Sequence, residues 1–165
     1  MTNSSLHYEW SNTEEIQEFG ATKSGIEFLE AWLSGHIEPP ICGLLGISLI
    51  AVEKGRVTFT YIPSEAHYNA IGSVHGGVVT TVLDTAAGCA LHTCLDDQHI
   101  YTTVEVKCNF IRPIRVPSEP LRCVGDVISA GKRIGVSKAT MMDSSGNIVA
   151  YASSSLLIMD KHTAK

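Results

Sequence analysis

Apolar side chains recur at helical spacing near the start of the chain and alternate with polar ones further along. Ile26, Leu29 and Leu33 fall on one stripe, which predicts a helix over residues 24–34. Asn12 is a plausible N-cap for a shorter helix before it. In the later part of the chain the pattern predicts strands, over residues 44–52, 56–62, 102–111, 120–130, 133–142 and 148–159.

The predicted strand at residues 102–111 has two chemically different faces. One face is apolar and carries Val104, Val106, Cys108 and Phe110. The other face is polar and carries Thr103, Glu105, Lys107 and Asn109. Such alternation with period two is typical of a strand.

One long helix is predicted between the second and third strands, from about Gly76 to Leu91. Its apolar side chains share one broad face, made by Val79, Val82, Leu83, Ala86, Ala87 and Ala90. An antiparallel sheet can wrap such a helix, so the order of elements predicts an α+β fold.

The pattern changes at Pro39 and Pro40, which forbid continuation of the preceding helix. We therefore divide the chain into an N-terminal helical extension, residues 1–38, and a main domain, residues 39–165. Strands are expected to follow Pro40. A length of 165 residues favours a single core.

Charge is unevenly distributed along the chain. The formal net charge is −5, which disfavours non-specific electrostatic binding of the whole chain to nucleic acid. Residues 1–38 alone carry −6, whereas the segment from Lys107 to Lys138 carries +5. This basic segment either faces an anion or is a solvated face of the sheet.

The chain shows no signal for export, membrane insertion or metal binding. No apolar stretch precedes the first basic residue, Lys23, and no run approaches the ~18 apolar residues of a membrane span. No pair of the five cysteines forms a CxxC motif, and no histidine completes a zinc spacing. These features predict a cytoplasmic protein with reduced thiols and no metal.

The start and the middle of the long helix carry the candidate chemistry. Gly76 and Gly77 open the helix, where free backbone N–H groups can hold a developing oxyanion. Asp84 lies inside an apolar helix, where a buried charge is costly. On a helical wheel it shares a stripe with the small residues Gly77, Thr81 and Gly88, which points to a functional carboxylate.

Gly76 and Asp84 are too far apart to act on one bond from a single chain. Eight residues separate them, which is about 12 Å along a helix. If both groups act on the same carbonyl, one must come from a second copy. A symmetric dimer with these helices antiparallel would form two such sites.

Other catalytic arrangements are unfavourable. The segment Gly72-Ser73-Val74-His75-Gly76 is not a GxSxG elbow, and no phosphate-binding glycine motif is present. Cys89 and Cys94 follow the buried pattern of the helix and are interpreted as core residues rather than nucleophiles. His75 is either a catalytic base or a ring that fixes the turn.

Together these residues resemble the hotdog-fold acyl-CoA thioesterases of the phenylacetic-acid-degradation (PaaI-like) type. The matching pattern is Asn69-x5-His75-Gly76-Gly77-x6-Asp84, followed by Thr103-Val-Glu-Val-x3-Phe110-x-Arg112-Pro113 and the Asp143…Gly146 hairpin. The resemblance runs from about residue 24 onward. It implies an antiparallel sheet around one central helix, homodimers that stack into tetramers, and hydrolysis of acyl-CoA thioesters at the subunit interface.

The resemblance also implies roles for individual residues. Asp84 matches the catalytic carboxylate, as general base or nucleophile, and Gly76 matches the oxyanion-hole amide. Asn69 matches a polar side chain that positions water or the thioester. Thr103 matches a hydroxyl near the carboxylate, with Thr102 as the alternative one residue earlier. His75 and Gly77 are placed with the substrate-binding residues. No cofactor is implied, because coenzyme A is part of the substrate.

Coenzyme A carries phosphates, which Arg112, Lys132 and Arg133 of the basic segment are candidates to hold. Plain surface charge is the alternative for each of the three. Two other functions stay open: a hotdog dehydratase or hydratase, and a non-catalytic acyl-CoA-binding protein. A hydratase-type histidine five residues after Asp84 is replaced by Cys89. Phenylacetyl, hydroxybenzoyl and medium-chain acyl groups are all possible.

Overall fold

The structure is a computed structural model that describes residues 4–163. Its helices are α1 (Thr13–Ala21), α2 (Gly25–Leu33), α3 (Pro40–Leu45) and α4 (Gly76–His92), with one 3₁₀ turn at Glu65–His67. Its strands are β1 (Ile47–Glu53), β2 (Arg56–Tyr61), β3 (His99–Phe110), β4 (Leu121–Ala130), β5 (Ile134–Met142) and β6 (Ile148–Asp160). The expected α+β fold is confirmed.

One antiparallel sheet packs on the central helix α4. The strand order is β1-β2-β4-β5-β6-β3. The apolar face of α4 is buried, and Val82, Leu83, Ala86 and Ala90 are wholly inaccessible. β4 approaches α4 so closely that a Cβ on Gly125 would stand 2.0 Å from the carbonyl oxygen of Ala86. A glycine is therefore required where the strand crosses the helix.

The N-terminal helices share the core of the sheet domain. Asn12 Oδ1 accepts a hydrogen bond from the Glu14 amide, which confirms the predicted N-cap of α1. Leu29 and Trp32 of α2 are buried, and the Trp32 ring lies 5.3 Å from the Phe59 ring. The domain boundary at residue 38 stays a prediction, because α2 packs on β1 and α4.

The short helix α3 corrects one expectation. Strands were expected directly after Pro40, but Pro40 is the first residue of a helix that ends at Gly46 with φ of +66°. Proline fits the first turn because its missing N–H would have no partner there. As a result, β1 begins at Ile47 rather than at residue 44.

A β-bulge in β3 corrects the predicted faces of that strand. Thr103 pairs with Leu156, but Glu105 pairs with Ser155, so Val104 is the extra residue. Val104 is 57% exposed instead of belonging to the apolar face. Because the bulge shifts the alternation by one, Thr103 joins Val106 on the face that points to α4.

Among residues 4–163, no helix combines the length and the apolar character that a membrane crossing requires.

Candidate active site

The turn before α4 is held by the side chain of His75. This residue is the N-cap, and its Nδ1 accepts a hydrogen bond of 2.9 Å from the Gly77 amide. The ring therefore fixes the turn, one of the two roles expected for it. The Gly77 N–H therefore already donates a hydrogen bond. The Gly76 N–H, in contrast, donates to no acceptor within residues 4–163.

Asn69 organises the loop that leads to this turn. Its Oδ1 accepts hydrogen bonds from the amides of Ile71 (3.0 Å) and Ser73 (3.3 Å), and its Nδ2 donates to Ser73 Oγ at 3.1 Å. The carboxamide thus closes a small loop, and its second Nδ2 hydrogen is not used by these hydrogen bonds. A role for Asn69 in positioning water or the thioester stays a prediction.

The first cavity of the site, the amide cavity, lies at this end of α4. It has a volume of about 330 Å³ and is lined by residues including Asn69, Gly76, Phe110 and Arg112. A Cβ on Gly76 would stand 3.3 Å from the Phe110 ring. The absence of a side chain at residue 76 therefore leaves the helix start accessible from this cavity.

Asp84 lies half-buried in the middle of α4. Its Oδ1 accepts a hydrogen bond of 2.9 Å from Thr103 Oγ1. The bulge at Val104 is what turns Thr103 towards the helix, so the backbone of β3 orients the carboxylate. The structure places Thr102 on the opposite face, where it is exposed and away from Asp84.

Asp84 and Thr103 line a second cavity, the carboxylate cavity, of about 250 Å³. The N-terminal helices supply much of its wall, through Phe28, Trp32, Pro39, Ile41 and Cys42. The remaining wall comes from α4 and β3, through Thr85, Cys89, His92 and Tyr101. A carboxylate in such an apolar setting exerts stronger electrostatic effects than one in water.

Burial keeps the other titratable groups of the carboxylate cavity neutral. Desolvation raises the pKa of the Cys42 thiol to about 12, with a contribution from Glu38. Burial likewise raises the pKa of the Cys89 thiol. Neither thiol supplies a thiolate near neutral pH, which excludes them as nucleophiles. Burial lowers the pKa of His92 to about 4, helped by the charge of Lys161.

One chain brings the site residues together in two separate groups. Gly76, Asn69 and Arg112 line the amide cavity, whereas Asp84 and Thr103 line the carboxylate cavity. α4 is continuous from Gly76 to His92, so about 12 Å of helix separates the amide from the carboxylate. A single chain therefore presents the two groups in separate cavities, and we refer to these two candidate groups as the half-sites.

The other predicted basic residues lie elsewhere. Lys132 and Arg133 are exposed between β4 and β5, and Lys132 lines a cavity of about 310 Å³ with Asp96 and His99. Arg112 is exposed beside the amide cavity, with Nη1 4.0 Å from Asp143 Oδ2. Thus only Arg112 is close to a half-site of its own chain.

Residues able to hold a metal ion are not grouped in the described part of the chain. No cluster of three or more His, Cys, Asp or Glu side chains occurs among residues 4–163. All five cysteines are free thiols.

Sequence reasoning missed the walls of the carboxylate cavity. Phe28 and Trp32 belong to a helix that was treated as an extension. The position of His92 could have been predicted from the sequence. The stripe of Gly77, Thr81, Asp84 and Gly88 continues to residue 92 at the same spacing, which places His92 on the same face of the helix as Asp84.

Known proteins match this arrangement. The Thioesterase superfamily profile matches residues 71–150, which include Gly76, Asp84 and Thr103. A protein of Saccharolobus solfataricus designated an esterase is 33% identical over 112 residues, 68% of this chain and 73% of that protein. Human acyl-coenzyme A thioesterase 13 is 26% identical over 117 residues, 71% of this chain and 77% of that protein.

A solved structure confirms the expected fold. A phenylacetic acid degradation-related protein of Ralstonia eutropha superposes with a TM-score of 0.70 at 24% identity. The match covers 78% of this chain and 97% of that one. The predicted hotdog architecture, a sheet around one long helix, is thus confirmed. From these similarities and the geometry of α4, the chain belongs to the thioesterase superfamily and is a thioester hydrolase of the hotdog fold.

Proposed function

We propose that the protein hydrolyses acyl-CoA thioesters to a free acid and coenzyme A, at sites shared by two subunits. The observation that carries this proposal is the separation of the half-sites. Asp84 is held by Thr103 in one cavity, and the unoccupied Gly76 amide opens into another, about 12 Å along the same helix.

A symmetric dimer with antiparallel α4 helices would join the two half-sites. Asp84 of one subunit would then face Gly76 of the partner subunit, and the reverse pair would form the second site. This supports a homodimer as the active unit. Further stacking into a homotetramer and a cytoplasmic location stay predictions.

The proposed chemistry needs only the carboxylate and the amide. With Asp84 as general base, it takes a proton from water while the water oxygen bonds to the thioester carbon. The carbonyl oxygen gains negative charge, which the Gly76 amide stabilises. The C–S bond then breaks, and the thiolate of coenzyme A takes up the proton. With Asp84 as nucleophile, its carboxylate bonds to the thioester carbon, the C–S bond breaks and the coenzyme A thiolate leaves. Water then hydrolyses the resulting mixed anhydride, which releases the acid and restores Asp84.

The position of His75 favours hydrolysis over dehydration. Its Nδ1 is engaged by the Gly77 amide, so the ring is part of the helix cap. The intact hydrogen bond between Thr103 and Asp84 favours an enzyme over a non-catalytic binding protein, because binding alone requires no oriented carboxylate.

The test is a hydrolysis screen with free-thiol detection over acetyl-, octanoyl-, dodecanoyl-, phenylacetyl- and 4-hydroxybenzoyl-CoA. We expect Asp84→Asn to lower kcat for the best substrate by about 10²–10⁴-fold, the usual contribution of a general base. Asp97→Asn, at an exposed aspartate outside both cavities, is the matched control. Near-normal turnover by a folded Asp84→Asn protein would contradict the proposal.

A further inference from the structure

A third cavity lies directly behind the carboxylate cavity. This N-terminal chamber has a volume of about 440 Å³ and is lined by Ile16, Gln17, Gly20 and Ala21 of α1, Ile100 of β3 and Lys161. Gln17 and Ala21 are exposed, so the chamber is open to solvent on the side of α1. Phe28 and His92 line both this chamber and the carboxylate cavity. Their rings are stacked at 5.6 Å and form the boundary that the two cavities share.

The lining of the N-terminal chamber is mostly apolar. Ile16, Phe28 and Ile100 contribute hydrocarbon surface. The one cation, Lys161, donates hydrogen bonds of 2.8 Å to the carbonyl oxygens of Gly20 and Lys23, so its charge is used to hold the end of α1. Burial also leaves His92 uncharged at neutral pH, because its pKa falls to about 4.

We propose that the N-terminal chamber receives the far end of a long aliphatic acyl group, so that α1 and Lys161 set the chain length that the enzyme prefers. This inference rests on the proposed thioester hydrolysis at Asp84. It assigns a specificity role to a segment outside residues 71–150, the region that the superfamily profile matches.

The distance from Asp84 to the chamber defines which acyl groups reach it. His92 lies eight residues beyond Asp84 on α4, about 12 Å along the helix. An extended chain advances roughly 1.3 Å per carbon, given C–C bonds of about 1.5 Å. About nine or ten carbons therefore span the carboxylate cavity. Hexanoyl and phenylacetyl groups end before the Phe28–His92 pair, whereas a dodecanoyl group passes it.

The test compares variants that change the volume of the chamber. Ala21→Phe fills it from α1, and Ile16→Ala enlarges it. Glu18→Phe is the matched control, because it adds the same ring to α1 at an exposed position that does not line the chamber. For each folded variant, kcat/KM is measured with hexanoyl-, dodecanoyl- and hexadecanoyl-CoA.

Each buried methylene changes kcat/KM by roughly fourfold. We expect Ala21→Phe to lower kcat/KM at least tenfold for dodecanoyl-CoA, while hexanoyl-CoA changes less than twofold. Ile16→Ala is expected to shift the preference towards hexadecanoyl-CoA. Glu18→Phe should leave the profile unchanged. An equal loss on all three substrates, or no loss on dodecanoyl-CoA, would overturn the proposal.

A binding measurement separates this inference from the proposed function. Calorimetric titration with dodecanoate and hexanoate needs no turnover. Suppose that the wild type hydrolyses no thioester yet binds dodecanoate more tightly than hexanoate, and that Ala21→Phe removes this difference. The proposed function is then contradicted, whereas the proposed binding of long chains in the chamber is supported. If hydrolysis occurs but Ala21→Phe affects neither binding nor the chain-length profile, only the proposed role of the chamber is contradicted.

Discussion

The two halves of α4 carry different kinds of chemistry. The N-terminal half offers a backbone amide, at Gly76, in a turn fixed by the exposed cap His75. The later half, the side-chain half, offers Asp84 and His92 in a cavity with walls from α2 and α3. The first half, the amide half, needs a glycine at the helix start, whereas the side-chain half needs a partner hydroxyl.

Under the proposed function, this difference makes one chain an incomplete site. The amide and the carboxylate lie about 12 Å apart on one helix. Pairing two copies would bring the amide half of one subunit to the side-chain half of the other. The following experiments break or sharpen this comparison, from the largest expected effect to the smallest.

The largest effect is expected from mixing two inactive chains. Gly76→Pro removes the amide donor at a helix position that tolerates proline, and we expect a 10²–10³-fold loss of kcat. Asp84→Asn removes the carboxylate. Co-refolded one to one, these chains form mixed dimers in which Asp84 of one subunit meets Gly76 of the partner subunit. Random pairing should restore about one quarter of the wild-type sites.

Gly76→Ala is the control for the amide. It adds a Cβ at the same distance from Phe110 but keeps the N–H, so its kcat should fall far less than that of Gly76→Pro. Confirmed mixed dimers that are as inactive as both parents would show that each site lies within one chain.

A pH effect on stability is expected from the side-chain half. Burial lowers the pKa of His92 from 6.5 to about 4, so the unfolded chain binds an extra proton between these values. The contribution of neutral His92 to the free energy of unfolding is therefore fully present above pH 6.5. This contribution is lost as the pH falls towards 4. Urea unfolding should show that wild-type protein loses about 2–3 kcal/mol more than His92→Gln between pH 7 and pH 4.5. Parallel pH curves would mean that His92 is accessible to solvent.

How far the sequence could predict the site also differs between the two halves. The amide half is local: His75 and Gly76 are adjacent, and a glycine at a helix start is recognisable from spacing alone. Asp84 was also recognisable, because a carboxylate interrupts an apolar helix. The two-subunit argument needed only the 3.6-residue period and the rise of a helix.

The side-chain half depends on contacts that local patterns do not encode. The face of Thr103 was predicted incorrectly, because a bulge in β3 depends on its pairing with β6. The helix at Pro40–Leu45 was not predicted, because a proline prevents continuation of one helix but is also accepted in the first turn of the next. Phe28 reaches Asp84's cavity only through the packing of α2 on the core.

A smaller effect is expected from the hydroxyl that orients Asp84. Thr103→Val removes the 2.9 Å hydrogen bond to Asp84 Oδ1 with little change in volume. A hydrogen bond to a charged group contributes about 1.5–3 kcal/mol, so we expect kcat to fall about tenfold or more while KM stays nearly constant. Thr103→Ser keeps the hydroxyl and should recover most of the rate. The exposed neighbour Thr102→Val is the matched control; an equal loss there would contradict the orientation seen in β3.

The smallest effect is expected from the basic residues that are candidates for the coenzyme A phosphates. Arg112 is exposed beside the amide cavity, whereas Lys132 and Arg133 lie near neither half-site of their own chain. An exposed ion pair contributes up to about 1 kcal/mol, so Arg112→Ala should raise KM for acyl-CoA about three- to fivefold without lowering kcat. Contacts made equally in the ground and transition states change KM in this way.

Acyl-pantetheine separates a phosphate contact from a general effect on the site. It lacks the nucleotide, so Arg112→Ala should leave its KM unchanged. Added salt should raise KM for acyl-CoA in the wild type more than in Arg112→Ala, because exposed ion pairs are screened over a Debye length of about 8–10 Å. The double variant Lys132→Ala, Arg133→Ala is tested in parallel. If only the double variant changes KM for acyl-CoA, the nucleotide lies across the β4–β5 turn of a subunit, and the amide half of the site does not bind it.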